Sequence, residues 1–216
     1  MRRDQGSYLR DPAAIYRESF AAIRREAPLD RLPDDLRPLV LRLIHACGMP
    51  DIVSDLAWTP DAVRAGRVAL RGGAPILVDA TMVQAGIRPQ LSAANPILCT
   101  LNDDATAARA AAGATTRSAA AVDGWREHLA GAVVAIGNAP TALFRLLELL
   151  ADGAPRPALI LGFPVGFIGA AEAKKALIGY RPQVPHITLR GRRGGSAMAA
   201  AALNALLDDG PLRGGR

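Results

Sequence analysis

Between residues 34 and 47 the apolar side chains Leu36, Val40, Leu43, Ile44 and Cys47 recur at helical spacing and form one stripe. An earlier stripe of Tyr16, Phe20, Ile23 and Ala27 follows Asp11-Pro12. A capping aspartate with proline at the first helical position predicts a helix from there to about residue 27. Pro28 and Pro33 bracket the short loop between the two helices. A third helix is expected between Thr59-Pro60-Asp61 and Gly72-Gly73.

Beyond residue 73 the pattern changes to short, continuously apolar runs. Ile76-Leu77-Val78-Asp79, Pro96-Ile97-Leu98-Cys99-Thr100-Leu101, Ala132-Val133-Val134-Ala135-Ile136, Ala158-Leu159-Ile160-Leu161 and His186-Ile187-Thr188-Leu189 read as five strands. Unbroken rather than alternating hydrophobicity marks strands covered on both faces, as in a parallel sheet. Helical stretches are expected between them, near 81–86, 104–112, 117–130, 140–151 and 169–178, with a last one near 196–207. The alternation predicts an α/β fold: a single domain over 1–216, three-layer α/β/α, with a five-stranded mainly parallel sheet. A flavodoxin-like strand order, 2-1-3-4-5, fits five such strands. Residues 1–10 read as an N-terminal arm and 209–216 as a flexible tail.

Composition narrows the classes. Half of the 216 residues are hydrophobic but only 4% are aromatic, so the core is expected to consist of Ala, Leu, Val and Ile. No apolar run approaches the ~20 residues that span a bilayer. Met1-Arg2-Arg3-Asp4-Gln5-Gly6 opens a polar segment, not a signal core. A soluble, cytoplasmic protein with no membrane partner is the expectation. Cys47 and Cys99 make neither a disulfide framework nor a metal set and read as small core residues. His128 and His186 have no clustered ligand partners, so no metal site is expected; they read as a surface and a sheet histidine.

The formal charge is +6, and among 26 basic residues only Lys174 and Lys175 are lysines. Arginine meets carboxylates and phosphates through a planar fork, which points to an anionic ligand. An arginine- and alanine-rich genome would produce the same bias. Nucleic-acid binding requires a basic stripe or a stacking platform, and the arginines are instead spread along the chain.

His45 stands out as candidate chemistry. It projects almost opposite the middle of the 34–47 stripe, with Arg42 on the same side and Gly48 closing the helix. It is either a catalytic imidazole on a rigid support or a solvated histidine suited to a helix C-terminus. Ser19, three residues from Tyr16, is a small packing residue or a hydroxyl at a site. Ligands of open α/β sheets bind beyond the carboxyl ends of the strands. There Asp79 is a site carboxylate or a cap for the helix starting near Thr81. The loops at Gly137-Asn138-Ala139-Pro140-Thr141, 162–169 and 191–196 are glycine-rich and precede helices, as does Thr115-Thr116-Arg117-Ser118. They are ordinary tight turns or, together, an anion-binding rim. None carries a dinucleotide or Walker signature.

Taken in order, His45-Ala46-Cys47-Gly48, Thr116-Arg117-Ser118-Ala119-Ala120, Ala135-Ile136-Gly137-Asn138-Ala139-Pro140-Thr141-Ala142-Leu143, Gly162-Phe163-Pro164-Val165-Gly166-Phe167 and Gly194-Gly195-Ser196-Ala197-Met198 resemble the precorrin-8X methylmutase family. The likeness runs from about residue 8 to 207. It implies a flavodoxin-like homodimer that uses no cofactor and acts late in cobalamin synthesis. One methyl group would move between neighbouring ring carbons, turning precorrin-8X, a polycarboxylate tetrapyrrole, into hydrogenobyrinate. The family's functional histidine falls on His45. Its substrate contacts fall on Ser19 and Arg42, with Arg117 as a further candidate. Thr116 and Asp79 join the candidate substrate contacts through their positions in the chain, not through the resemblance. The chain departs from the family pattern at Glu172-Ala173-Lys174, where Glu-Ser-Lys is expected, and Arg193 adds a charge to the last loop. The other class to weigh is a corrinoid-binding carrier without catalysis.

Overall fold

The computed structural model describes residues 8–207. The arm before residue 8 and the tail after 207 lie outside the described residues. The helix α1 (Pro12–Glu26) starts where the sequence places it, with the Asp11 carboxylate accepting from the amides of Ala13 and Ala14. The helix α2 (Arg37–Cys47) starts three residues later than its stripe predicts, with a proline in its first turn. It ends at Gly48, whose φ of 69° is the left-handed conformation that glycine adopts without a Cβ penalty.

The sheet has six strands, not five. In chain order they are β1 (Leu56–Trp58), β2 (Ile76–Val78), β3 (Ile97–Leu98), β4 (Val133–Ile136), β5 (Leu159–Gly162) and β6 (His186–Leu189). Their spatial order is β1-β6-β5-β4-β2-β3. Leaving out β1, the remaining five follow the flavodoxin-like order, all parallel. The sixth strand, β1, is an antiparallel edge pairing Leu56 with Leu189 and Trp58 with Ile187. Three residues between Asp55 and Thr59 are too few to carry a periodicity, which is why the pattern misses them.

The remaining helices are α3 (Ala62–Arg71), α4 (Thr81–Ala85), α5 (Pro89–Ala94), α6 (Asp104–Ala112), α7 (Arg117–Asp123), α8 (Pro140–Ala151), α9 (Ala170–Gly179) and α10 (Ser196–Ala205). The expected 117–130 helix stops at Gly124, and a 3-10 turn (Arg126–His128) replaces its second half. Strand side chains alternate between two cores. Val78, Val133, Ala135, Leu159 and Leu161 pack with α2, α3 and α10, while Leu77, Val134, Ile136 and Ile160 pack with α8 and α9. The α10 helix lies on β4 and β5, α2 packs on α10, and α1 packs on α2. The helix carrying His45 therefore sits outside the first helical layer.

Candidate active site

The packing of α1 on α2 brings three sequence-predicted residues together. His45 is in the last turn of α2 and is exposed. Its Nδ1 is 2.9 Å from Ser19 Oγ on α1. The imidazole stacks on Phe20, with ring centres 4.9 Å apart and planes 23° apart. Tyr16 meets it edge-on at 5.7 Å. Arg42, one turn before His45, holds its guanidinium carbon 6.0 Å from the Tyr16 ring centre and 5.9 Å from that of Phe20. A hydrogen bond on one nitrogen and a ring on one face fix the imidazole in position and plane. Among the described residues Nε2 forms no hydrogen bond, so the histidine presents a second nitrogen to whatever occupies its open side. Such a group can lend or accept one proton.

Tyr16 and Phe20 were legible only as members of an apolar stripe. The signal that places them at the site is their helical spacing with Ser19, since positions i, i+3 and i+4 share one face.

Thr116 and Arg117 come to the carboxyl edge of the sheet from its other face. Thr116 caps α7 by accepting from the Ala119 amide at 3.1 Å, and its hydroxyl donates to Thr141 Oγ1 at 2.8 Å. The exposed Arg117 donates to the Leu101 carbonyl at 3.3 Å and to Asn102 Oδ1 at 2.9 Å, just past β3. They are not part of the Ser19–Arg42–His45 group.

The capping alternative for Asp79 calls for a correction. It is 1% exposed and does not cap the following helix, whose N-cap is Ala80. Its carboxylate accepts from the amides of Gly137 (2.8 Å), Asn138 (2.9 Å) and Ala139 (2.8 Å). The glycine loop before α8, read from the sequence as anion-friendly, is thus already filled by an anion of the chain itself. Burial pushes the Asp79 carboxyl above its ordinary range, against the opposite pull of the three amides. These three bonds tie the end of β2 to the β4–α8 loop.

Both cysteines are free and half-buried, and burial pushes both thiols up. His186 is buried in β6, with Nδ1 2.9 Å from the Val184 carbonyl, and burial lowers its pKa. The exposed His128 lies on the 3-10 turn before β4.

The precorrin-8X methylmutase family profile matches residues 14–209. A precorrin-8X methylmutase of Pseudomonas aeruginosa is 60% identical over 200 residues, covering 92% of this chain and 96% of that one. One from a Sinorhizobium species is 55% identical over 204 residues, covering 94% and 97%. The crystal structure of a precorrin-8X methyl mutase from Thermus thermophilus superposes with a TM-score of 0.80 at 42% identity, covering 89% of this chain and 93% of that one. Likeness of this extent, in sequence and in fold, covers α1, α2 and the carboxyl edge alike: the chain belongs to the precorrin-8X methylmutase family.

Proposed function

We propose that the protein is the isomerase that converts precorrin-8X to hydrogenobyrinate in cobalamin biosynthesis, with His45 as its proton donor. The observation that carries the assignment of His45 is an exposed imidazole stacked on Phe20, with Ser19 on Nδ1 and Nε2 left for a ligand. The reaction moves one methyl group within one molecule, so nothing is oxidised or reduced and the proton count is unchanged. His45 lends its Nε2 proton to the macrocycle, which favours the tautomer able to undergo the 1,5-shift. The same nitrogen recovers the proton when the product forms. Ser19 accepts from Nδ1–H and keeps the imidazolium oriented. Arg42 and Arg117 are charge partners for the carboxylate arms of the substrate, as their planar donor forks suit.

The natural substrate is metal-free in this reading. The relatives at 60% and 55% identity are named for precorrin-8X, whereas one from Priestia megaterium, at 36%, is named for cobalt-precorrin-8. The protein acts as a homodimer. Phe167 and Ile168, at the tip of the β5–α9 loop, are 84% and 91% exposed, a contiguous apolar pair that a second copy would cover. Among the described residues no helix is long and apolar enough to cross a membrane, and a cytoplasmic location belongs to the same reading.

Incubation with precorrin-8X, followed by absorbance, tests the activity. The hydrogenobyrinate spectrum should develop with time, and faster than with cobalt-precorrin-8. A bound pigment whose spectrum never changes would mean a carrier and would overturn the assignment. Sedimentation equilibrium should give twice the chain mass, and Phe167→Ser should shift it toward the monomer.

A further inference from the structure

Outside the His45 cluster, four charged side chains form one connected group where the chain passes from β6 to α10. Lys174, on α9, is fully buried, and its ammonium donates to the Arg193 carbonyl at 2.6 Å. The Arg193 guanidinium donates to Asp51 Oδ2 at 2.6 Å and, through its other terminal nitrogen, to Asp55 Oδ2. Met49 Sδ lies 4.0 Å from the nitrogen that meets Asp51. Asp51 and Asp55 belong to the 3-10 helix Pro50–Asp55, which follows the Gly48 cap of the His45 helix.

The loop is held from the other side by a close backbone approach. Gly195 N donates to the Phe163 carbonyl at 2.8 Å, and a Cβ on Gly194 would stand 2.3 Å from that same oxygen. Two cations and two carboxylates balance. A buried ammonium with a carbonyl as its one hydrogen-bond acceptor is nevertheless a poor source of stability, and apolar packing would serve the core as well. What the group supplies is a fixed relation between three chain segments that share no other side-chain ion pair among the described residues.

We propose that Lys174 and Arg193 are positioning residues for the reaction, clamping the β6–α10 loop to the 3-10 helix that follows the His45 helix. The proposal rests on the reading of His45 above. Lys174 acts on the Arg193 backbone and Arg193 on Asp51 and Asp55, so the loop and the 3-10 helix joined to α2 through Gly48 keep one geometry when a ligand arrives. The charged groups facing Lys174 are Asp55 from the 3-10 helix and Arg193 from the loop; Glu172 and Lys175, its neighbours on α9, are exposed. Burial lowers the Lys174 pKa to about 8, against the pull of Asp55. The clamp therefore weakens as pH rises through that value, when the ammonium becomes a neutral amine.

The test compares Arg193→Gln, Arg193→Lys and Lys174→Met with the wild type. Turnover of precorrin-8X is followed from about pH 6 to 10, with amide exchange of residues 47–56 measured without substrate. Arg193→Gln should lower kcat about 10- to 100-fold with a smaller change in KM, as a catalytic group displaced by about 1 Å would. Arg193→Lys, which restores one donor, should recover part of the loss. The wild type should lose kcat above about pH 8, and Lys174→Met should lack that limb. Amide exchange across 47–56 should quicken in both Arg193→Gln and Lys174→Met. Variants that melt earlier yet keep wild-type kcat, KM and pH profile would overturn the proposal, as would unchanged exchange. If Lys174→Met does not fold, the two Arg193 variants decide alone. Wild-type protein without turnover would instead sink the reading of His45, while the exchange data still judge the clamp.

Discussion

His45 and Asp79 are both ionisable residues near the carboxyl edge of one sheet, and the fold treats them in opposite ways. His45 is exposed, with one nitrogen on Ser19 and one face on Phe20. Asp79 is buried, and its two oxygens are occupied by three backbone amides. A polar group can take part in chemistry only if some of its bonding capacity is left over for a ligand. The imidazole keeps a nitrogen, whereas the carboxylate is shut away from solvent against the chain's own amides. The difference is one of partners, because spacing alone puts both residues at ends of elements, where sites occur.

Four substitutions break or sharpen that contrast. His45→Ala has the largest expected effect: kcat on precorrin-8X should fall by about 10²–10⁴-fold, the usual contribution of a positioned acid. Its melting temperature and pigment affinity should stay near those of the wild type, which calorimetry and equilibrium titration would check. Asp79→Ala should do the reverse. Three amides, one of them fully buried, lose their acceptor, which costs about 3 kcal/mol of stability, so the melting temperature drops by ~10 °C. Any activity lost there should track the unfolded fraction. If Asp79→Ala instead stays fully folded and inactive, the carboxylate belongs to the chemistry after all.

Ser19→Ala is a smaller change on the His45 side. Removing one hydrogen bond worth about 1 kcal/mol should lower kcat about fivefold, with little change in stability. His186→Gln is the control with the least effect, and it acts through pH. Burial holds the folded-state pKa of His186 below its unfolded value of about 6.5. Below that pH the unfolded chain binds more protons than the folded one, so the stability His186 contributes is present above it and lost as pH falls. Wild-type and His186→Gln melting curves should therefore diverge between pH 7 and 5 and run parallel above, whereas activity at neutral pH should be the same.

Most of the architecture is legible in the sequence. Asp11-Pro12, Gly48 and the five apolar runs each carry a local signal and fall where the pattern predicts, except that the 96–101 run keeps only Ile97–Leu98 as strand. The misses have physical reasons. The strand β1 is a three-residue edge whose partner lies more than 120 residues away, so no local period betrays it. The helix α2 is buried over more of its surface than one stripe, with Leu39 and Leu41 inside as well, because α1 and α10 pack on different sides of it. Arg193 reads as a stray charge in a glycine loop, and only its meeting with Asp51 and Asp55 makes it a link.

By itself the sequence determined the five parallel strands with their order, most of the helices between them and the identity of the histidine to inspect. These follow from periodicity, caps and motifs, which are properties of neighbouring residues along one chain. Tertiary structure alone decided that Ser19, Tyr16 and Phe20 surround His45, that Asp79 is spent on the chain's own amides, and that Lys174 reaches Arg193. Each of those outcomes depends on which groups from distant segments come into contact, and such contacts and the burial they bring exist only once the segments are packed.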